Sequence, residues 1–130
     1  DLERIGDQGA DIAEILLDTD VTCPYKMVEH IPNMAHLAKN MVKQSIEAFH
    51  QHDLKKASEV KKLEDDMDGL FEEVKVELIQ IVNESKETID LAINFLMIAK
   101  YFERIGDHAV NICEWVEFNQ TGTVDNYRLI

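Results

Sequence analysis

Acidic side chains recur four residues apart in two segments of the chain. Glu103 and Asp107 have this spacing, and so do Glu64 and Asp68. Side chains four residues apart project from the same face of an α-helix. Carboxylates placed in this way repel each other by about 0.2–0.5 kcal/mol per pair. Oxygen ligands suit hard or borderline cations such as Mg²⁺, Mn²⁺, Ca²⁺ and iron, so the pattern predicts metal binding.

The segment around Glu103 occurs a second time, 100 residues earlier. Residues 3–14 align with residues 103–114, and seven of the twelve positions are identical. In the first copy, Glu3 and Asp7 hold the places of Glu103 and Asp107. A spacing of 100 residues is too long for a solenoid repeat and suits a duplicated three-helix unit. We therefore expect one complete unit preceded by the last helix of another, in a fragment that lacks most of its N-terminal half.

The alternative for any single acidic pair is a solvated helix face, which is the common role of Glu and Asp. Recurrence in two copies, with a further pair in a different segment, favours a metal site for the whole set. Gly6 and Gly106 also recur, and each costs roughly 1 kcal/mol in a helix interior relative to Ala. Either the approach of a bound metal cluster or close helix packing would account for them. His108 follows Asp107 on a different helix phase and is expected to be a surface residue.

Composition excludes several classes of function. The 130 residues are 45% hydrophobic, enough for one domain core, and carry a net charge of −13. This charge repels nucleic acid and anionic lipid, whereas a cation or a basic patch on a partner protein is attracted. No run of about 18 apolar residues is present, so we expect a soluble protein. Cys23 and Cys113 form no motif and are interpreted as ordinary small residues of a reducing compartment.

Apolar residues spaced three and four apart, with few breakers, predict an all-α fold. On the third predicted helix the apolar seam is Val60, Leu63, Met67, Leu70, Val74, Leu78 and Ile81; on the second it is Met27, Ile31, Met34, Ala38, Met41, Ile46 and Phe49. Asp53 and Ser85 are the predicted N-caps of the third and fourth helices. Short connections imply antiparallel neighbours in a three-helix bundle. The predicted helices cover residues 1–17, 25–51, 54–83 and 86–118, with a connection over 18–24 and an irregular tail over 119–130.

Residues 95–118 read FLMIAKYFERIGDHAVNICEWVEF, and residues 60–71 read VKKLEDDMDGLF. Both stretches resemble the PhoU family of phosphate-uptake regulators. The resemblance implies a tandem pair of three-helix bundles, here the end of a first repeat (1–18) and a complete second repeat (26–118). It also implies surface metal clusters of iron, zinc, manganese or magnesium held by the acidic motifs. Carried over residue by residue, the second site falls on Glu64, Asp68, Glu103 and Asp107, and the first retains Glu3 and Asp7.

The resemblance further implies a non-enzymatic, cytoplasmic regulator. Family members are thought to restrain phosphate import through its ABC transporter ATPase and to keep the phosphate-sensing histidine kinase quiet. The membrane is then reached only through these partners, and the uncovered helix of the first repeat favours a homodimer. Two alternatives remain open. One is a carboxylate-bundle metal store or oxidase, although the E-x-x-H pair of such proteins is not found; the other is a soluble appendage of a sodium–phosphate transporter.

Overall fold

The described residues of this computed structural model are 2–18, 30–121, 123–124 and 127–128, and helices dominate them. In chain order these helices are α1 (Leu2–Asp18), α2 (His30–Gln51), α3 (Leu54–Glu84) and α4 (Ile89–Thr121), with a 3₁₀ turn (Lys86–Thr88) before α4. Two short antiparallel strands follow, β1 (Thr123–Val124) and β2 (Tyr127–Arg128). The predicted all-α fold is confirmed. No helix among the described residues is long and apolar enough to cross a membrane.

Helices α2, α3 and α4 pack against one another in all three pairs, and α1 packs against α4. Because the links from α2 to α3 and from α3 to α4 are only a few residues long, neighbouring helices run antiparallel. The bundle core contains Met34, Met41 and Met67, as helical spacing predicts. Its largest fully buried side chains are Met34, Met41, Met67, Ile98, Val60, Val74, Cys113 and Ser45.

The turn between α2 and α3 forms as predicted. The side chain of Asp53 accepts a hydrogen bond from the backbone N–H of Lys56 at 3.0 Å, which satisfies one of the free donors at the start of α3. His52, in the short link between the two helices, takes a left-handed conformation with φ of 53°. The predicted N-cap and first residue of α3 are confirmed.

The predicted role of Ser85 is wrong. Its side chain makes no capping hydrogen bond, and its backbone N–H instead donates to the carbonyl of Ile81 at the end of α3. The 3₁₀ turn separates Ser85 from α4, which begins at Ile89. Within that turn the buried Thr88 hydroxyl donates to the Ser85 carbonyl at 2.6 Å. The local backbone is therefore stabilised by Thr88 rather than by the serine side chain.

The apolar face of α2 differs from the prediction in its second half. Ile46 and Phe49 are 43% and 53% exposed, whereas Ser45 and Ala48 are fully buried. Steps of four and three from Met41 lead to positions 45 and 48, so helix geometry outweighs the hydrophobicity of the neighbouring residues. The Ser45 hydroxyl donates to the Val42 carbonyl at 2.8 Å, and this bond offsets the cost of burying it.

The first residues of the predicted irregular tail, 119–121, are part of α4. Helix α4 continues to Thr121, where the side chain of Gln120 donates to the carbonyl of His52 at 3.3 Å and ties the end of α4 to the α2–α3 turn. The two short strands follow. The predicted connection over residues 19–24, the predicted start of α2 at Tyr25, and the predictions for Cys23 and Met27 lie outside the described residues.

Candidate metal centre

The acidic pairs of α3 and α4 meet across the interface between the two helices. Besides partial burial, the negative charge of Asp107 raises the pKa of Glu64, and that of Glu103 raises the pKa of Asp68. Because α3 and α4 are antiparallel, the four residues from Glu64 forward to Asp68 run alongside the four residues from Asp107 back to Glu103. The four residues Glu64, Asp68, Glu103 and Asp107, hereafter the carboxylate set, therefore lie on one joint surface of two helices.

Three carboxylates of this set, Glu64, Asp68 and Asp107, have raised pKa values. Partial burial at the helix interface raises the pKa of Glu64, and the charges of Asp107 and Asp68 raise it further. Burial is also the main cause of the raised pKa of Asp68, and the charge of the neighbouring Glu103 is the second cause. The pKa of Asp107 is raised mainly by burial and then by the charges of Glu103 and Asp68. The set is thus a concentration of negative charge that a cation would relieve.

Glu114 extends the negative field by about two turns of α4 beyond Asp107. Its charge is a further cause of the raised pKa of Glu64, together with that of Asp65. The sequence pattern places Glu114 on the same face as Glu103 and Asp107, and this placement agrees with its effect on Glu64. Glu72, which continues the same spacing on α3, instead accepts a hydrogen bond from Lys75 at 3.2 Å and is 67% exposed. The acidic surface thus extends along α4 beyond Asp107.

Lys100 forms an ion pair with the carboxylate set. Its Nζ atom lies 2.6 Å from Oε1 of Glu103, whose side chain is 14% exposed. The same ammonium group lies 5.3 Å from the ring centre of Phe71, within the range of a cation–π interaction. Phe71 is three residues after Asp68, and Lys100 is three residues before Glu103, so the antiparallel register brings them together. Neither Lys100 nor Phe71 is among the residues predicted to form the site.

The donor atoms of the set fit a hard cation in chemistry but are not converged on one point. In the described part of the chain, no group of three or more His, Cys, Asp or Glu side chains is arranged to hold a metal ion. The available donors are carboxylate oxygens on two facing helices, the ligand type of Mg²⁺, Mn²⁺ and iron. Since Glu103 is engaged by Lys100, binding through all four residues requires this ion pair to open and the carboxylates to rotate.

Glu3 and Asp7 are exposed on α1, away from any partner of this kind among the described residues. Glu3 lines an apolar groove of about 350 Å³ together with Leu2, Ile46, Phe49, Ile112 and Trp115. No described acidic side chain on another helix completes a second set around Glu3 and Asp7. Their role as metal ligands stays a prediction.

The two repeated glycines differ in their surroundings. A Cβ atom added at Gly106 would meet the Sδ and Cε atoms of Met41 at 3.4 Å and Cε of Met67 at 3.7 Å, whereas nothing lies within 4 Å of one added at Gly6. Close packing against methionines therefore accounts for Gly106 without a bound metal.

His108 is half-buried, and its pKa is lowered by burial and by the positive charge of Arg4.

Residues 31–116 match the sequence profile of the PhoU domain. The chain is 38% identical over 122 residues to a phosphate-specific transport system accessory protein PhoU homolog of Clostridium acetobutylicum, a match that covers 94% of this chain and 56% of the relative. It is 31% identical over 123 residues to PhoU homolog 1 of Thermotoga maritima, covering 94% and 53%. The chain belongs to the PhoU family. It spans about half the length of the curated relatives it matches.

Proposed function

We propose that this chain is part of an accessory regulator of phosphate transport. The observation that carries the proposal is the PhoU-domain match over residues 31–116, together with relatives named as accessory proteins of a phosphate-specific transport system. The match includes α3 and residues 89–116 of α4, and so covers all four residues of the carboxylate set. The regulator acts by contact with other proteins and not by catalysis.

In this proposal the protein is a negative regulator. It restrains phosphate import through the ATPase of an ABC transporter, and it keeps a phosphate-sensing histidine kinase quiet when phosphate is plentiful. Both contacts take place at the cytoplasmic face of the membrane, between homodimers of the regulator and these partners. The net charge of −13 supports recognition by a basic surface of a partner.

The carboxylate set gives the regulator a metal site in the same proposal. Glu64, Asp68, Glu103 and Asp107 would supply oxygen ligands to a divalent or trivalent ion of iron, zinc, manganese or magnesium. A bound cation would neutralise the repulsion that raises the pKa values of Glu64, Asp68 and Asp107. Its effect would be to join α3 to α4 at the surface of the bundle.

The proposal is tested by deleting the gene that encodes the chain and measuring two quantities in phosphate-rich medium. We expect the initial rate of phosphate uptake to rise, and transcription from a phosphate-responsive promoter to become active although phosphate is abundant. Restoring the gene should reverse both effects. If uptake and transcription stay at their wild-type levels after deletion, the regulatory proposal is wrong.

A further inference from the structure

Lys100 acts on three members of the carboxylate set at once. It forms the 2.6 Å ion pair with Glu103, and its charge also favours the ionised forms of Asp68 and Asp107. Its side chain is 49% exposed, whereas that of Glu103 is 14% exposed. The lysine can therefore swing into solvent more easily than the glutamate can. We therefore expect the ion pair to open by movement of the lysine side chain.

Phe71 provides a second contact for the ammonium group. Its ring has Lys100 at 5.3 Å and Lys75 at 5.6 Å from its centre. A cation at such a distance from an aromatic face retains about 0.5–1 kcal/mol of attraction at an exposed site. Lys100 thus has a favourable contact that does not depend on Glu103. Lys75 shares the ring but pairs with Glu72, outside the carboxylate set.

We propose that Lys100 is a built-in counter-cation that competes with a metal ion for Glu103 and so sets the metal concentration at which the carboxylate set fills. This inference rests on the metal-binding proposal. In the metal-free protein the ammonium group offsets part of the negative charge of the set. A metal ion that takes Glu103 as a ligand displaces the ammonium group, which stays near Phe71 or moves into solvent. Lys100 therefore lowers metal affinity while it stabilises the metal-free protein.

Three variants of the untagged 130-residue chain distinguish competition from other roles. Lys100→Met removes the charge and keeps an unbranched side chain of similar length. Lys100→Arg keeps the charge. Lys75→Met is the matched control, because it removes a charge from the same aromatic ring without touching the carboxylate set. Mn²⁺ binding to each is measured by isothermal titration calorimetry, and the melting temperature of each is measured without metal.

We expect Lys100→Met to bind Mn²⁺ roughly two- to fivefold more tightly than wild type, the range given by an exposed ion pair. The Mn²⁺ affinities of Lys100→Arg and Lys75→Met should stay within about twofold of wild type, because neither variant removes the positive charge paired with the carboxylate set. Without metal, Lys100→Met should melt below Lys75→Met, since the set has lost its counter-cation. A purely structural role for Lys100 would lower the melting temperature without raising the affinity.

The remaining outcomes separate the two proposals. If wild type binds Mn²⁺ but Lys100→Met binds no more tightly than Lys75→Met, competition by Lys100 is wrong and the metal site stands. Weaker binding by Lys100→Met would also overturn the inference, because Lys100 would then be holding Glu103 in position for the metal. If neither wild type nor any variant binds Mn²⁺, the metal-binding proposal fails and takes this inference with it.

Discussion

The carboxylates of Asp68 on α3 and Glu103 on α4 lie next to each other across the helix interface. Partial burial and the charge of Glu103 raise the pKa of Asp68, so the contact opposes ionisation of Asp68. The grouping of these carboxylates on a surface of two helices is the structural basis of the metal-binding proposal.

The first prediction concerns the cost of this repulsion. Asp68→Asn should raise the free energy of unfolding of the metal-free protein by about 0.3 kcal/mol at pH 7 and low salt, because it removes one charge from the set. Asp66→Asn, two residues away on an exposed position of α3, is the control and should change stability less. Both are measured by urea denaturation in the presence of a chelator. A loss of stability in Asp68→Asn would mean that the repulsion is already compensated.

Lys61 and Glu117 provide the second prediction. Lys61 Nζ lies 3.2 Å from Oε2 of Glu117, and the two side chains, which join α3 to α4, are 19% and 20% exposed. Lys61→Met should lower the free energy of unfolding by about 1–2 kcal/mol, because it leaves a largely buried carboxylate without this partner. The more exposed pair of Lys56 and Glu47 is the control, and Lys56→Met should cost less. Equal losses in the two variants would contradict the prediction.

The third prediction uses the two glycines that the repeat places at equivalent positions. Gly6→Ala should stabilise the protein by about 0.5–1 kcal/mol, because the position is helical and open. Gly106→Ala should gain less or nothing, since the new methyl group would press on Met41 at 3.4 Å. Chemical denaturation of both variants measures the difference. Equal stabilisation would show that Met41 moves aside without cost.

The fourth prediction is a pH dependence at Cys113. Burial raises the pKa of its thiol to about 12, from an ordinary value of 9.0. Above pH 9 the unfolded chain loses this proton while the folded chain keeps it, so stability falls as pH rises from 9 towards 12. Between pH 9.5 and 10.5 the protein should lose about 1 kcal/mol more than Cys113→Ala, both in a Cys23→Ser background. Parallel pH profiles would contradict the burial of the thiol.

The core of the bundle is well predicted from spacing because apolar residues dominate the seam of α3. Val60, Met67, Val74, Leu78 and Ile81 are all buried, as the alternation of three and four requires. The second half of α2 is predicted less well, since the apolar residues there lie one position beyond the buried face. Hydrophobicity misleads at such positions, whereas extending the regular steps from Met41 identifies Ser45 and Ala48.

The carboxylate set could be predicted only in part. Spacing along each helix places Glu64 with Asp68 and Glu103 with Asp107, but the pairing between helices depends on their antiparallel register. That register also brings Lys100 to Phe71, a contact that has no signal within either helix alone. Both residues are found by one further step of three residues, forward from Asp68 to Phe71 on α3 and backward from Glu103 to Lys100 on α4. This rule applies once the two helices are taken as antiparallel.

The most direct test of the metal site is a Mn²⁺ titration of the metal-free protein against a double variant, Glu103→Gln with Asp107→Asn. Its matched control is Glu87→Gln with Asp90→Asn, which removes the same two charges from exposed positions near the start of α4. We expect wild type and control to bind Mn²⁺ with similar affinity, and the double variant to bind at least tenfold more weakly. Equal binding by all three proteins would contradict a metal site at the carboxylate set.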